Sequence, residues 1–480
     1  MGSITQDVRF LLLPTNPFVT GSNAGRPAPA HVLNGFAAAD VGYGDRGSEI
    51  VALMRQEGVD LSGFGFSANA RWASDPKTLR NFQADLVGVF SPDGRVFPTR
   101  GSPAILHQSM TTLDASDDGF GPHLAGLMEA ATPGTKDQLR ALLTPIEITD
   151  PLTAMAKILV EDTVPQQRRS VPESKRYWYL SPPTKPSALL RESIANFILA
   201  LLENHFGDPR PAQIQHLSRG LYFALVVTCL HSPVAINIDS EIHSVHELTP
   251  LVTLGGLPPG DKDHPLTRAS GASFRRAIQG VVSGLELTLV AAVEAAEIPS
   301  TTPKAGEPSA KLISLLADAG ITGTRAQNSA SRITDAVTTS SRRFGTKKWV
   351  SEVISASHPE DDLATGLRSM GRKVGFISPD RGMGFARFGL ETPLLGTIVR
   401  GLVPSGGVEF ESFVDSLRRR FGLVLGPGGD DQLAGDLPYW QSAGTAREML
   451  RTNQESFRRR LIRSGLAREY SDGYTEVTHD

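Results

Sequence analysis

Two stretches of this chain are closed to regular structure, and they partition everything else. Between Glu161 and Ser187 a polar run holds Pro165, Pro172, Pro182, Pro183 and Pro186. Proline lacks the amide donor a helix needs and clashes with the preceding turn, so no helix runs through such a stretch. Pro299 to Pro308 forms a second break. The chain of 480 residues is also too long for one ordinary core. The expected organisation is a mixed α+β domain over 1–160, a linker over 161–187, a helical domain with a short β element over 188–298, a helical segment over 299–372 and a C-terminal module over 373–480. The fold class is α+β, predominantly helical.

The pattern within each part predicts its elements. Val8 to Leu13 reads as a strand, Ser48 to Gly58 as a short helix, and Ala84 to Thr99 as a hairpin turning at Ser91, Pro92, Asp93 and Gly94. After the first break, Leu190, Ile194, Phe197, Ile198, Leu201, Leu202 and Phe206 recur at the i, i+3, i+4 spacing of one buried helical stripe. Phe274, Ile278, Val281, Val282, Leu285, Leu289 and Val293 repeat it, and the two stripes are expected to pack together. Pro233 to Leu254 alternates like a strand pair. Further helices are expected at Ala310 to Ala319, Arg325 to Phe344 and Lys348 to Ser357.

The longest apolar run, Leu221 to Leu230, is about half the roughly 20 residues that span a bilayer, and it reads as a core helix. No membrane partner is expected. Met1 to Phe10 does not read as a signal peptide, and the single cysteine, Cys229, excludes an internal disulfide, so a cytoplasmic location is expected. A net charge of -3 rules out a basic footprint over the whole protein.

Basic character is instead local. In the C-terminal module Lys373 to Ile377 reads as a strand, Pro393 to Leu402 as a helix, and Glu409 to Phe421 as an amphipathic helix stopped by Gly422. Thr445 and Glu448 form a Thr-x-x-Glu capping box that would start a longer helix, with Ala446, Leu450, Phe457 and Leu461 inward and Gly465 as its C-terminal cap. Ala467 to Tyr470 and Tyr474 to Val477 then form a hairpin. Helix, helix, longer helix and hairpin is the order of a winged helix-turn-helix. On the long helix Arg447, Arg451, Arg459 and Arg463 follow an i, i+4 row interrupted by Glu455, with Arg458 and Arg460 beside it, and the hairpin adds Arg468 and Tyr474. Such a helix suits phosphates flanking a groove. A second excess holds Arg325, Arg332, Arg342, Arg343, Lys347 and Lys348 against Asp335 alone. The candidate nucleic-acid contacts are therefore Arg447, Arg451, Arg458, Arg459, Arg463, Arg468, Tyr474, Arg342, Arg343, Lys347 and Lys348.

No catalytic signature is found. Gly42, Gly44 and Gly47 match Gly-x-Gly-x-x-Gly, but the preceding residues are alanine-rich rather than strand-forming, so a surface loop is expected. Ser378 to Gly389, between a strand and a helix, could cradle a phosphate beside Arg381 or Arg387, without the Gly-Lys-Ser/Thr ending of a P-loop. His231, Asp239, Glu241, His243, His246 and Glu247 are the densest set of metal-ligand types, yet on an alternating strand 243 and 246 point to opposite faces. No cofactor and no metal is expected, and Cys229 reads as a packed apolar residue.

Gly371 to Pro379 (GRKVGFISP) and Phe413 to Gly426 (FVDSLRRRFGLVLG) resemble the C-terminal ends of accessory proteins of bacterial phage-defence cassettes. The resemblance implies a subunit of a larger assembly with protein partners. The reading is a non-catalytic nucleic-acid-binding or scaffolding subunit, with duplex DNA as a possible ligand. The alternatives are a winged-helix module used only for protein docking, and a metal-dependent or nucleotide-binding hydrolase with an unfamiliar site.

Overall fold

The computed structural model describes residues 28–44, 77, 81, 84, 85, 111, 120–131, 135–143, 170, 185–203, 208, 210–237, 242–256, 264–295, 310–318, 322–344, 348, 350–353, 360–378, 386–427 and 443–479. The strand expected at Val8 to Leu13, the helix at Ser48 to Gly58 and nearly all of the 161–187 linker lie outside them, while residues 185–187 of that linker are helical, with Pro186 in a first turn where its missing amide breaks no bond. The expected hairpin also lies outside the described residues, apart from Ala84 and Asp85, which are helical.

Among the described residues the chain is predominantly helical with a few short strands. In chain order these are α1 (Pro29–Val41), α2 (Phe120–Ala131), α3 (Thr135–Leu142), α4 (Lys185–Glu203), α5 (Arg210–Asn237), β1 (Leu251–Leu254), α6 (Pro265–Ala295), α7 (Ala310–Asp318), α8 (Gly323–Phe344) and α9 (Glu360–Val374). Then follow β2 (Ile377–Ser378), β3 (Arg387–Gly389), α10 (Thr392–Leu402), β4 (Val408–Glu409), α11 (Phe410–Phe421), β5 (Leu423–Val424), α12 (Ala443–Arg463), β6 (Ala467–Glu469) and β7 (Thr475–Val477). They fall into two compact units. One comprises Pro27–Arg176 with Ile198–Tyr222, and the other Met1–Arg26 and Tyr177–Phe197 with Phe223–Asp480.

In the first unit α1 and α2 meet backbone to backbone. A Cβ on Gly121 would lie 2.3 Å from the Phe36 nitrogen, so only glycine permits the approach. Val32, Leu33 and Phe36 bury against Phe120, Leu124 and Leu127 as the unit's core. The carbonyl of Leu142, left open at the end of α3, accepts a 2.7 Å bond from Arg210 Nε.

In the second unit a four-stranded sheet has the order β2-β3-β1-β5, with β1 parallel to both neighbours and β2 antiparallel to β3. Every residue of β1 is buried, as parallel strands require. Strands this short form few ladder bonds, and two serines of α6 supply others. Ser273 Oγ accepts from the Val252 amide at 3.0 Å and donates to the Pro250 carbonyl, and Ser270 Oγ accepts from the Phe388 amide at 2.9 Å. The α6 stripe therefore rests on β1 and β3, while the α4 stripe meets α5 and α11 at Phe197, which stacks edge-on with Phe223 and Phe421.

Two sequence expectations are corrected in this unit. Pro233 to Leu254 is not a strand pair: α5 continues through Pro233 to Asn237, a 3-10 turn covers Val245–Glu247, and only Leu251–Leu254 is strand. Gly284 lets α6 close on the proline, since a Cβ there would lie 2.6 Å from the Pro233 carbonyl. Lys373 and Val374 end α9 rather than begin a strand: Arg372 and Lys373 complement the negative end of the helix dipole, and Gly375, at φ +79°, turns the chain toward Ile377.

By length and composition alone, two helices among the described residues could cross a membrane. In this fold 89% of the apolar window in Ala212–Ala235 is buried within the protein, and half of that in Pro265–Glu294. Cys229 is fully buried in α5, and burial pushes its thiol up.

Candidate nucleic-acid interface

The last seven elements place α12 between the central sheet and a small second sheet. That sheet has the order β4-β7-β6, so the strand leading into α11 pairs with the last strand of the chain. α11 buries Phe410, Phe413, Val414, Leu417 and Phe421, and Gly422 ends it at φ +71°. Glycine is needed there twice over, because a Cβ would also lie 3.0 Å from the His231 ring.

α12 buries the expected stripe of Ala446, Leu450, Phe457 and Leu461, and in the middle of it Asn453 at 0% exposure. Asn453 Oδ1 accepts from the Gly255 amide at 2.7 Å, and its Nδ2 donates to the carbonyls of Thr253 and Leu425 at 2.9 and 2.8 Å. One amide side chain thus satisfies three backbone groups at the ends of β1 and β5. Leu450 packs beside it on Val252, Leu254 and Val424. Position 453 was legible as three after Leu450 and four before Phe457, but an apolar stripe invites no search for a polar residue.

The helix start differs from the expected one. α12 begins at Ala443, so Thr445 lies inside its first turn and not at the cap position. Its end is as expected: Gly465 takes φ +70° and the Leu466 amide returns to the Leu461 carbonyl at 2.9 Å.

Arg447, Arg451, Arg459, Arg463 and Arg468 are exposed. At roughly 100° per residue an i, i+4 row winds about 40° at each step, so Arg451 and Arg463 do not share a face but are turned about 120° apart. Arg451 and Arg458 look toward the hairpin, where they line a cleft of about 560 Å³ with Gln454, Glu455, Tyr474 and the α11 start at Glu409 to Glu411. Arg459 and Arg463 lie on the other side of Glu455.

Arg458 is committed within the protein. Its Nε and NH2 donate to Glu455, and its NH1 to Glu469 at 2.7 Å and Thr475 at 3.2 Å, which ties the helix to both hairpin strands. Hydrogen bonding to Glu455 raises its pKa, and the same contact holds the Glu455 carboxyl below the usual carboxylate range. Arg459 Nε also donates to Glu455, at 2.9 Å. Arg460 is half-buried beside Thr392, and its pKa is lowered by that burial. Tyr470 and Tyr474 lie exposed on the hairpin with ring centroids 5.8 Å apart, and Tyr470 donates to Glu476.

The second basic group is less defined. Arg342 and Arg343 fall in the last turn of α8, their side chains outside the described residues, as is all of Lys347, while Lys348 is helical and exposed.

Among the described residues the other constellations do not assemble. Ser378 to Gly389 joins two strands of a hairpin rather than a strand and a helix, with 379–385 outside the described residues and Arg387 buried in β3. Gly42 and Gly44 follow helix α1, not a strand, and bond to Thr111. No group of three His, Cys, Asp or Glu among the described residues is placed to hold a metal; Asp239 and Glu241 lie outside them. His231 is buried against the Phe421 carbonyl. His246 accepts from Arg418 at Nε2, 3.3 Å away, so its proton sits on Nδ1, facing Ser244, which in turn donates to Glu247 at 3.1 Å. These groups link the turn to α11 and leave no convergent lone pairs.

No protein-family model, curated protein or solved structure matches the chain.

Proposed function

We propose that the protein is a non-catalytic nucleic-acid-binding subunit, and that 392–477 is a winged-helix-like module whose α12 meets duplex DNA. The observation that carries this reading is the order helix, strand, helix, strand, helix, hairpin, with β4 paired to β7. A winged helix is built that way and presents its third helix to the major groove. Exposed Arg447, Arg451 and Arg463 on that helix and Arg468 on the hairpin supply cations for phosphates on either side. The resemblance of the C-terminal segments to phage-defence accessory proteins supports a role inside a larger assembly.

Protein docking is the second reading, favoured by the carboxylates of Glu409, Glu411 and Glu455 in the hairpin-side cleft. Charge reversal separates the two. Arg451→Glu, Arg463→Glu and Arg468→Glu together should weaken binding to a labelled mixed-sequence duplex, with the salt slope reduced by about 1 for each phosphate that is no longer neutralised. Thermal stability should hardly move, because exposed arginines contribute little to folding. Fluorescence anisotropy at two salt concentrations gives the answer. Equal affinity in both proteins, or no duplex binding by wild type at low salt, would leave docking as the role of the module.

A further inference from the structure

Glu455 sits between the two arginine flanks of α12, one i, i+4 step after Arg451 and one before Arg459. Its Oε1 accepts from Arg459 Nε at 2.9 Å and from Arg458 NH2 at 3.0 Å, and its Oε2 from Arg458 Nε at 2.8 Å. The two arginines are held differently. Arg458 is 24% exposed and keeps Glu469 and Thr475 as further partners. Arg459 is 67% exposed, and Glu455 is its ion-pair partner.

From this arrangement, and resting on the duplex-binding reading above, we infer that Glu455 is a selectivity-determining residue: an internal carboxylate that competes with DNA phosphates for Arg459. A phosphate that takes Arg459 Nε must displace Glu455, and any phosphate on this flank meets the repulsion of a carboxylate that Arg458 holds in place. Sequence-independent attraction to the backbone is thereby reduced, while contacts from Arg451 and Arg463 are left in place. Penalising the wrong partner with a repulsive element is a general route to specificity, and the backbone term is the one that dominates non-specific binding. Only one cation is released when Glu455 is neutralised, because Arg458 remains tied to the hairpin.

The test compares the full-length wild type with Glu455→Gln and with Glu455→Gln/Arg459→Gln, on a labelled random-sequence duplex across a salt series. Glu455→Gln should bind about 1.5- to 5-fold tighter at low salt, the range an exposed ion pair supplies, and its log-log salt slope should steepen by about 0.9, as one more neutralised phosphate requires. The double variant should return to the wild-type slope, which a merely structural role for Glu455 would not produce. Wild-type binding with an unchanged or weaker Glu455→Gln would overturn the inference and leave the duplex reading standing. Absence of binding by wild type and variants alike would overturn the duplex reading itself.

Discussion

His231 shows how one buried side chain makes the fold respond to pH. Its ring lies at 0% exposure in α5, with one nitrogen on the Phe421 carbonyl and Nδ1 without a hydrogen-bond partner among the described residues. Burial lowers its pKa from 6.5 to about 4, outweighing the opposite effect of the Phe421 bond. The unfolded chain therefore takes up a proton below pH 6.5 that the folded one refuses until about pH 4. Stability from this residue is complete above pH 6.5 and falls through that window by roughly 3 kcal/mol. His231→Gln keeps a donor for Phe421 but does not titrate. Urea midpoints at pH 7.5, 6 and 5 should therefore fall less steeply in the variant. Parallel falls in both proteins would show that His231 is not the group responsible.

At the scale of elements, α12 is seated by a polar joint as much as by its apolar stripe. Asn453→Leu would keep the volume and remove every bond, leaving the Gly255 amide and the Thr253 and Leu425 carbonyls buried without Asn453. We expect a loss of about 3–5 kcal/mol in urea unfolding, since each such group costs about 1–3 kcal/mol and the three are not additive. A loss below 1 kcal/mol would mean that water reaches the joint. The stripes of α4, α6, α11 and α12 were readable because helical period survives in sequence whatever the helix packs on. The terminal hairpin of β6 and β7 was readable too, from its two β-type runs, but the central sheet was not: β1 is four residues long, buried throughout and without alternation, so nothing local marks it off within Pro233 to Leu254. Arg458 was read as a phosphate contact because its partners Glu469 and Thr475 come from a hairpin that only the fold brings to it.

At the scale of the whole molecule, the elements around β1 share one interior. Phe421 stacks between Phe197 and Phe223, β5 pairs with β1, and Asn453 grips the end of the same strand. A fragment covering 373–480 alone would expose all three contacts, and we expect it to melt without a cooperative transition in near-UV circular dichroism. A sharp melt of that fragment would show that the module folds independently. The Asn453 bond to Gly255 spans 198 residues of chain. At translation rates of about 5–20 residues per second, β1 emerges roughly 10–40 s before the helix that closes over its end. Throughout that interval β1, buried along its whole length in the finished fold, has an unpaired edge, so its wait for β5 and α12 is an aggregation hazard while the protein is being made.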